Sequence, residues 1–227
     1  MTVLHLADEG EAADLAAFLS RLLHYDRAAA VRLQAAGTAL AVFGRPPSFE
    51  VLAIRAVRLA KPYENGLDVT LDVTVSAGEL LESVDEPAAT AGVPGAVTGP
   101  PWAGVLPPRG GWSPEPGLPA TDALRGLVAA AVAEFRSRTQ ELPPERRTRA
   151  ELDRIGREIW SRTVGDTRLP VRAVHAAQSL GFLRHAGAPG EEEPTLVSSG
   201  AWLRLRTPYG SVAVRRAGIG ALGLSVR

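Results

Sequence analysis

The hydrophobic residues near the start of the chain predict an amphipathic helix. Leu15, Phe18 and Leu22 are spaced by three and four residues. This spacing places them on one side of a helix, because the α-helix repeats every 3.6 residues. Several acidic residues precede this stripe, where they stabilise the positive end of the helix dipole. We therefore predict a helix over residues 7–24 that buries one of its sides.

Four segments after this helix have the pattern of β-strands, and they cover residues 29–35, 38–43, 49–59 and 67–75. The third is apolar on both faces, as a central strand is. The fourth alternates strictly, so its hydrophobic residues share one face and its aspartates and threonines share the other. Ala36-Gly37 separates the first two segments as a hairpin turn does. The four segments predict an antiparallel meander, with the first helix covering one face.

Capping sequences and apolar stripes predict further helices. Ser76 and Thr148 each precede a glutamate by three residues, and this pattern satisfies backbone donors at a helix start. Pro170 suits the first position of a helix, where its missing N–H is not needed. The predicted helices begin after Ser76 and cover residues 121–138, 148–163 and 170–180. A hairpin of residues 201–206 and 211–216 follows them.

The stretch 87–119 interrupts these elements. It holds nine of the 18 prolines and seven of the 23 glycines, together with Trp102 and Trp112. Proline fixes φ and removes a backbone donor, which disfavours helices and central strands. Two indoles are costly to leave in water, which argues against a disordered linker. We therefore predict a long ordered loop anchored by its two tryptophans.

These elements predict an α+β fold in three stretches. Residues 1–86 form a helix plus a four-stranded antiparallel sheet, and residues 87–119 form the ordered Pro/Gly/Trp loop. Residues 120–227 form a helical half that ends in a β-hairpin. The final strands can also join the first sheet and make one continuous domain, an alternative that the sequence leaves open.

Composition excludes several kinds of chemistry. The chain lacks cysteine, which rules out disulfides, thiolate zinc sites and thiol nucleophiles. Lys61 is the single lysine and belongs to no phosphate-binding P-loop pattern. No apolar run approaches the roughly 18 residues of a membrane span, and the first residues lack the basic segment of a secretory signal. We expect a cytoplasmic protein with no membrane partner, no cofactor, no metal and no recognisable catalytic residue.

Net charge is zero but unevenly distributed. Residues 1–119 hold 8 Lys and Arg against 14 Asp and Glu, a balance of −6, and residues 120–227 hold 17 against 11, a balance of +6. Such a split predicts either an anion-binding second half or two halves that attract each other, and we favour mutual attraction. The excess of arginine over lysine is typical of high-GC, actinobacterial genomes and carries no information on function.

Three features resemble sites but have simpler explanations. Residues 218–223 match the dinucleotide-binding glycine pattern, yet the chain ends before the helix that would bind pyrophosphate. Asp68 and Asp72 share a strand face about 13 Å apart, beyond the roughly 5–9.5 Å of a glycosidase pair. The four histidines include no pair at metal-ligand spacing.

Two regions are candidates for recognition. Helices 148–163 and 170–180 with the hairpin 201–216 have the order of a winged helix, in which the second helix enters a DNA major groove. The candidate DNA contacts are Arg168, Arg172, His175, Gln178, Arg204, Arg206 and Arg215. The connection between these helices is longer than usual, and the acidic run 191–193 lies where the wing would approach DNA.

The second candidate is the loop, where Trp102, Arg109 and Trp112 can form a protein-binding surface, because Trp and Arg are frequent interface anchors. The alternative is that both indoles cap the core of this protein. We expect a non-enzymatic binding or scaffold protein, with an unknown protein partner or a second copy as its partner. A winged-helix DNA-binding regulator is the alternative, and an enzyme of unusual type comes third.

Overall fold

The computed structural model describes residues 2–60, 71–184 and 192–216. Its helices are α1 (Glu9–Tyr25), α2 (Ala77–Glu82), α3 (Thr121–Glu141), α4 (Arg149–Trp160) and α5 (Val171–Ser179). Its strands are β1 (Val3–His5), β2 (Ala30–Ala36), β3 (Ala39–Gly44), β4 (Leu52–Arg58), β5 (Leu71–Ser76), β6 (Val84–Asp85), β7 (Thr90–Gly92), β8 (Ser113–Glu115), β9 (Thr195–Ser199), β10 (Trp202–Thr207) and β11 (Gly210–Arg215). The α+β class predicted from the sequence is confirmed.

The main sheet is antiparallel and has eight strands in the order β5-β2-β3-β4-β11-β10-β9-β8. The predicted meander is correct for β2, β3 and β4 but wrong for the next strand. β5 pairs with β2, with Val75 opposite Val31, and not with β4. The edge of β4 is occupied instead by β11, with Ser211 opposite Ile54. A sequence pattern specifies which face of a strand is buried but not which neighbour it pairs with.

Strand pairing joins the two halves of the chain, because β4 comes from the first half and β11 from the last. The final strands therefore extend the first sheet. Arg55 of β4 strengthens this junction on the helix side. Its guanidinium group donates to Glu11 of α1 at 3.0 Å, to Asp14 at 3.2 Å and to the backbone oxygen of Tyr209 at 2.8 Å.

The helices lie on one face of the sheet, which we call the inner face. Buried residues from all five helices belong to the same core as the inward residues of the strands, such as Leu33, Val57 and Leu205. The opposite, outer face has a second, smaller core of Phe43, Leu52, Ile54 and Ala213. Side chains alternate along each strand, so these two cores use different residues of the same strands.

Local sequence accounts for where the helices start. Asp8, Ser76 and Thr148 each accept a hydrogen bond from the backbone N–H three residues on, at 2.9, 3.3 and 3.3 Å. Ser76 and Thr148 thus cap the helices that the sequence predicted to start after them. Pro170 is the residue before the first turn of α5 and not its first residue, because its ψ of 147° is extended.

The stretch 87–119 contains more regular structure than the predicted loop. It contributes β7, β8 and a 3₁₀ turn over Pro101–Gly104. β8 contains Pro114 and lies at the edge of the main sheet, where a residue without an N–H is tolerated. The loop is also tied to the opposite edge, because Val97 N donates to the backbone oxygen of Thr74 at 2.9 Å.

Candidate functional site

The outer face of β10 and β11 concentrates aromatic and cationic side chains. In β10, Leu203 and Leu205 point into the inner core, so Trp202, Arg204 and Arg206 point outward. In β11, Val212 and Val214 likewise face inward, and Ser211, Ala213 and Arg215 face outward. The alternation of strand residues thus gathers three arginines and a tryptophan on one surface.

One end of this surface is a concave site that we call the arginine trough, formed by Trp112, Arg204, Arg206 and Ser211. Arg204 Nε donates to Ser211 Oγ at 2.8 Å. The guanidinium carbons of Arg204 and Arg206 lie 5.8 and 5.9 Å from the centroid of the Trp112 ring. This indole is itself held in place, because its Nε1 donates to the backbone oxygen of Pro108 at 3.0 Å. The trough borders a cavity of about 670 Å³.

Electrostatics of the trough favour an anion. Burial lowers the pKa of Arg204 to about 10, and repulsion by Arg206 adds to the effect. Among the described residues, neither arginine has a carboxylate within 4.0 Å. Glu193 borders the cavity, but its Oε2 accepts hydrogen bonds from Thr121 N at 3.3 Å and Thr121 Oγ1 at 3.0 Å. The two guanidinium groups therefore have no counter-ion in the described part of the chain.

The other end of the surface is a cavity of about 480 Å³, which we call the tryptophan pocket. Its apolar lining includes Trp102, Trp202, Ala213, Val51 and Leu52. Four charged residues also line it: Arg45, Glu50, Arg172 and Arg215. Trp102 belongs to the loop and packs against the outer core. The guanidinium carbon of Arg215 lies 5.8 Å from the centroid of the Trp202 ring. The pocket thus combines two indoles with three cations.

Arg172 enters the tryptophan pocket from the first turn of α5. Its Nε is buried and has no hydrogen-bond partner in the ranges that the structure describes. The nearest acid is Glu50, whose Oε2 lies 3.8 Å from this Nε, too far for a hydrogen bond. Glu50 has a positive φ of 53°, a conformation that is uncommon for residues other than glycine.

The candidate DNA contacts fall into two separate groups. Arg204, Arg206 and Arg215 lie together on the outer face of the sheet. His175 and Gln178 are half-buried on α5, a helix in which none of the nine residues is exposed. The His175 ring stacks on Trp160 at 4.6 Å between centroids and meets Phe49 edge-on at 5.1 Å.

The remaining members of that set are Arg168 and Arg172. Arg168 forms an ion pair with Glu115 at 3.1 Å and joins neither group, whereas Arg172 lines the tryptophan pocket together with Arg215. Burial lowers the pKa of His175, so its ring is held in the neutral form. No residue of α5 is exposed, so this helix does not present the fully free face that a recognition helix inserts into a major groove.

The candidate interaction loop is also divided. Trp102 lies in the tryptophan pocket and Trp112 lies in the arginine trough, so the two indoles do not form one surface. Arg109 is exposed. The pKa of Asp72 is lowered chiefly by its hydrogen bond from Arg32, and the charge of Arg109 is a smaller cause. Sequence reasoning missed Trp202 and Arg45, and the alternation Trp202-x-Arg204-x-Arg206 was the signal that could have found the surface.

Charge is distributed in a complementary way elsewhere. Within the described residues, three ion pairs connect the two halves of the chain: Asp14 with Arg184 at 2.7 Å, Glu50 with Arg172 at 3.8 Å and Glu115 with Arg168 at 3.1 Å. These are contacts of the kind that the charge split predicts. An acidic patch has no such partner in the part of the chain that the structure describes. Its four carboxylates are Glu79, Glu82, Asp85 and Glu86, which are all exposed around α2 and β6.

Several features named from the sequence lie outside the described residues: Asp68, His185, the glycine pattern at 218–223, and most of the acidic loop 187–194. Within residues 2–60, 71–184 and 192–216, no three His, Asp or Glu side chains are grouped closely enough to hold a metal ion. In the same ranges, no helix has the length and apolar character needed to cross a membrane.

Comparison with known families divides the chain in two. Residues 1–104 match the family model described as "Domain of unknown function (DUF8010)", and residues 107–219 match the one described as "Domain of unknown function (DUF8185)". A search of curated proteins found no match. The boundary falls within the Pro/Gly/Trp stretch, between Trp102 and Trp112. The tryptophan pocket takes Arg45, Glu50 and Trp102 from the first matched segment, and Arg172, Trp202 and Arg215 from the second.

Proposed function

We propose that this protein is a non-enzymatic binding protein that holds an acidic protein segment in the arginine trough. The observation that carries the proposal is the state of Arg204, which is half-buried beside Arg206 without a carboxylate partner in the described residues. A buried charge without a partner destabilises the folded state. A bound carboxylate would supply the missing counter-ion, and Trp112 would exclude water from the contact.

A protein segment suits the trough better than a nucleic-acid strand does. Glu192 and Glu193 border the cavity and would repel any anion placed beside them. A continuous line of phosphates must pass these acids, whereas a protein segment can bring one or two carboxylates to the arginines alone. Two adjacent guanidinium groups match one or two carboxylates on a short segment. The Ser211 hydroxyl accepts from Arg204 Nε, and none of the four residues that form the trough is a histidine or carries a carboxylate. This set of groups can bind an anion but has no general base to activate a nucleophile.

A second copy of the chain supplies a partner of the required charge. The acidic patch carries four exposed carboxylates within eight residues. Contact between the trough of one copy and the patch of another joins two different surfaces, so it is a head-to-tail contact that builds rings or chains. We therefore propose self-association through this pair of surfaces. Absence of cysteine agrees with a reducing compartment such as the cytoplasm, which is part of the same proposal.

A charge-exchange experiment on the full chain tests this proposal. Arg204→Glu combined with Arg206→Glu removes the trough, and Glu82→Arg combined with Asp85→Arg removes the acidic patch. We expect each double variant to sediment as a monomer at low salt, because its contact would join like charges. An equimolar mixture should assemble again, since the acidic patch of one variant meets the arginine trough of the other, and the two charge-reversed surfaces also carry opposite charges. Arg149→Glu, on an exposed arginine of α4, is the matched control and should assemble as the wild type does.

An acidic peptide tests the trough independently of assembly. Hexaglutamate should bind the wild type and bind about tenfold more weakly to Arg204→Gln, which corresponds to about 1.4 kcal/mol. Hexaglutamine should not bind. A wild type that neither self-associates nor binds hexaglutamate would overturn the proposal. If duplex DNA binds more tightly than the peptide and loses affinity in Arg204→Gln, the DNA-binding alternative is favoured instead.

A further inference from the structure

We propose that the tryptophan pocket binds a nucleotide unit, with a planar base beside Trp102 and Trp202 and a phosphate held by Arg45, Arg172 and Arg215. This site goes beyond the proposed function, because it uses none of the residues of the arginine trough. It is the neighbour of the trough on the outer face: Trp202 lies two residues, or about 7 Å, from Arg204 along β10.

The charges of the pocket match a phosphate. Three arginines and one glutamate line it, which gives a local charge of +2. The arginines come from different elements: Arg45 follows β3, Arg172 begins α5 and Arg215 ends β11. Guanidinium groups that converge from separate elements are typical of sites that bind a phosphate by several oxygens. A ligand with a single carboxylate would need only one of these three arginines.

Arg172 has an unused donor in this pocket. Its buried Nε makes no hydrogen bond within the described ranges, and Glu50 Oε2 lies 3.8 Å away. A buried donor without a partner costs free energy that an anionic ligand would recover.

The indoles supply the surface for a base. Trp102 is positioned from one side by the outer core, and Trp202 from another by its place on β10. Indole faces stack on planar bases with little dependence on sequence. The cavity of about 480 Å³ lies within the range of roughly 300–1,000 Å³ that holds small-molecule ligands.

The position of the pocket in the chain supports the same inference. Its residues come in near-equal numbers from the segments 1–104 and 107–219 that match separate family models. Ligand sites occur preferentially where two domains meet. Neither segment alone carries both tryptophans or all three arginines, so the site exists only when the segments are joined.

Binding to the intact protein tests the proposal, with the fluorescence of the tryptophans and calorimetry as readouts. The probes are AMP, adenosine, inorganic phosphate and a hexameric deoxythymidine oligonucleotide. We expect AMP to bind saturably and about tenfold more tightly than adenosine or phosphate alone, since base and phosphate both contribute. If AMP binds no more tightly than phosphate, or if neither AMP nor the oligonucleotide binds, the proposal is wrong.

Single substitutions test whether AMP binds in the tryptophan pocket. Arg45→Gln and Trp202→Leu should each weaken AMP about tenfold, and Arg45 is exposed, so its replacement leaves the core intact. Arg149→Gln and Trp112→Leu, outside the pocket, should leave AMP binding unchanged. Equal losses in these controls would overturn the assignment. If the oligonucleotide binds the wild type more tightly than AMP does, and binds Arg206→Gln more weakly than the wild type, the nucleotide unit belongs to a single strand. If the oligonucleotide and AMP bind the wild type equally tightly, the ligand is a free nucleotide. Loss of hexaglutamate binding in Arg204→Gln is measured separately, so either proposal can fail alone.

Discussion

The arginines of this protein differ in what surrounds their charge. Arg55 is buried but donates to Glu11 and Asp14, whereas Arg204 is half-buried and donates to a serine. Burial lowers the pKa of Arg204 to about 10. The folded state therefore binds this proton more weakly than the unfolded state does. This group lowers stability at pH values below about 10, and the penalty decreases as the pH rises above that value.

Replacing Arg204 should therefore stabilise the free protein while it removes binding. We expect Arg204→Met to raise the melting temperature in the absence of a partner, because a neutral side chain of similar length replaces a charge without a counter-ion. The same variant should lose hexaglutamate binding. Differential scanning calorimetry measures the first effect. Arg154→Met, which removes an exposed ion pair with Glu151, is the control and should not raise the melting temperature. A lower melting temperature for Arg204→Met than for this control would contradict the account of the trough.

At the scale of elements, the Pro/Gly/Trp stretch shows that composition alone does not predict which strands and contacts a segment forms. Its prolines correctly indicated a segment without long helices or central strands. They did not reveal that the segment adds β8 to one edge of the sheet and contacts β5 at the other. The backbone oxygen of Ala103 also accepts a hydrogen bond from Arg32 of β2. The stretch therefore spans the outer face and fixes its two indoles at different places.

The two tryptophans of this stretch should differ in their contribution to stability. Trp102 packs on the outer core, so Trp102→Ala should lower the free energy of unfolding by about 1–3 kcal/mol, less than the roughly 3–5 kcal/mol of a fully buried aromatic residue. Trp112 contacts arginines and the backbone of Pro108, so Trp112→Ala should cost less than about 1 kcal/mol. Urea denaturation measures both values. The reverse order would show that the anchor of the loop is Trp112.

At the scale of the whole molecule, the junction of β4 and β11 decides the organisation. The two segments that match separate family models contribute neighbouring strands to one sheet, with Val212 opposite Ala53. Separation would expose the edges of both strands, and exposed edges promote aggregation. Arg55 adds a buried connection between α1, β4 and the β10–β11 turn.

We expect the intact chain to unfold in a single cooperative transition. The shared sheet couples the two segments, so circular dichroism and tryptophan fluorescence should give the same midpoint in urea. Trp160 and Trp202 lie in the second segment and Trp102 in the first, so fluorescence reports on both. Two separate transitions would mean that the junction contributes little and that each segment is stable alone. The single variant Val212→Pro removes a backbone donor within β11 and should lower the midpoint for both probes together.

Local sequence determined the helices, the caps and the buried faces of most strands. Hydrophobic periodicity and capping depend on residues three or four positions apart, so they can be recognised without the rest of the fold. The capping roles of Ser76 and Thr148 and the alternation of β5 are of this kind. The short strands β1, β6, β7, β8 and β9 were missed, because two to five residues are too few to establish a period.

Tertiary structure alone decided the strand order and the two candidate sites. Pairing of β11 with β4 joins residues more than 150 positions apart, and no local pattern specifies such a partner. The arginine trough depends on β10 lying beside the loop that carries Trp112. The tryptophan pocket depends on Trp102 and Arg172 reaching the same strand ends. The sequence shows which residue types are present, but it does not show which of them lie close together. Distances between segments far apart in the chain are set by packing and strand pairing.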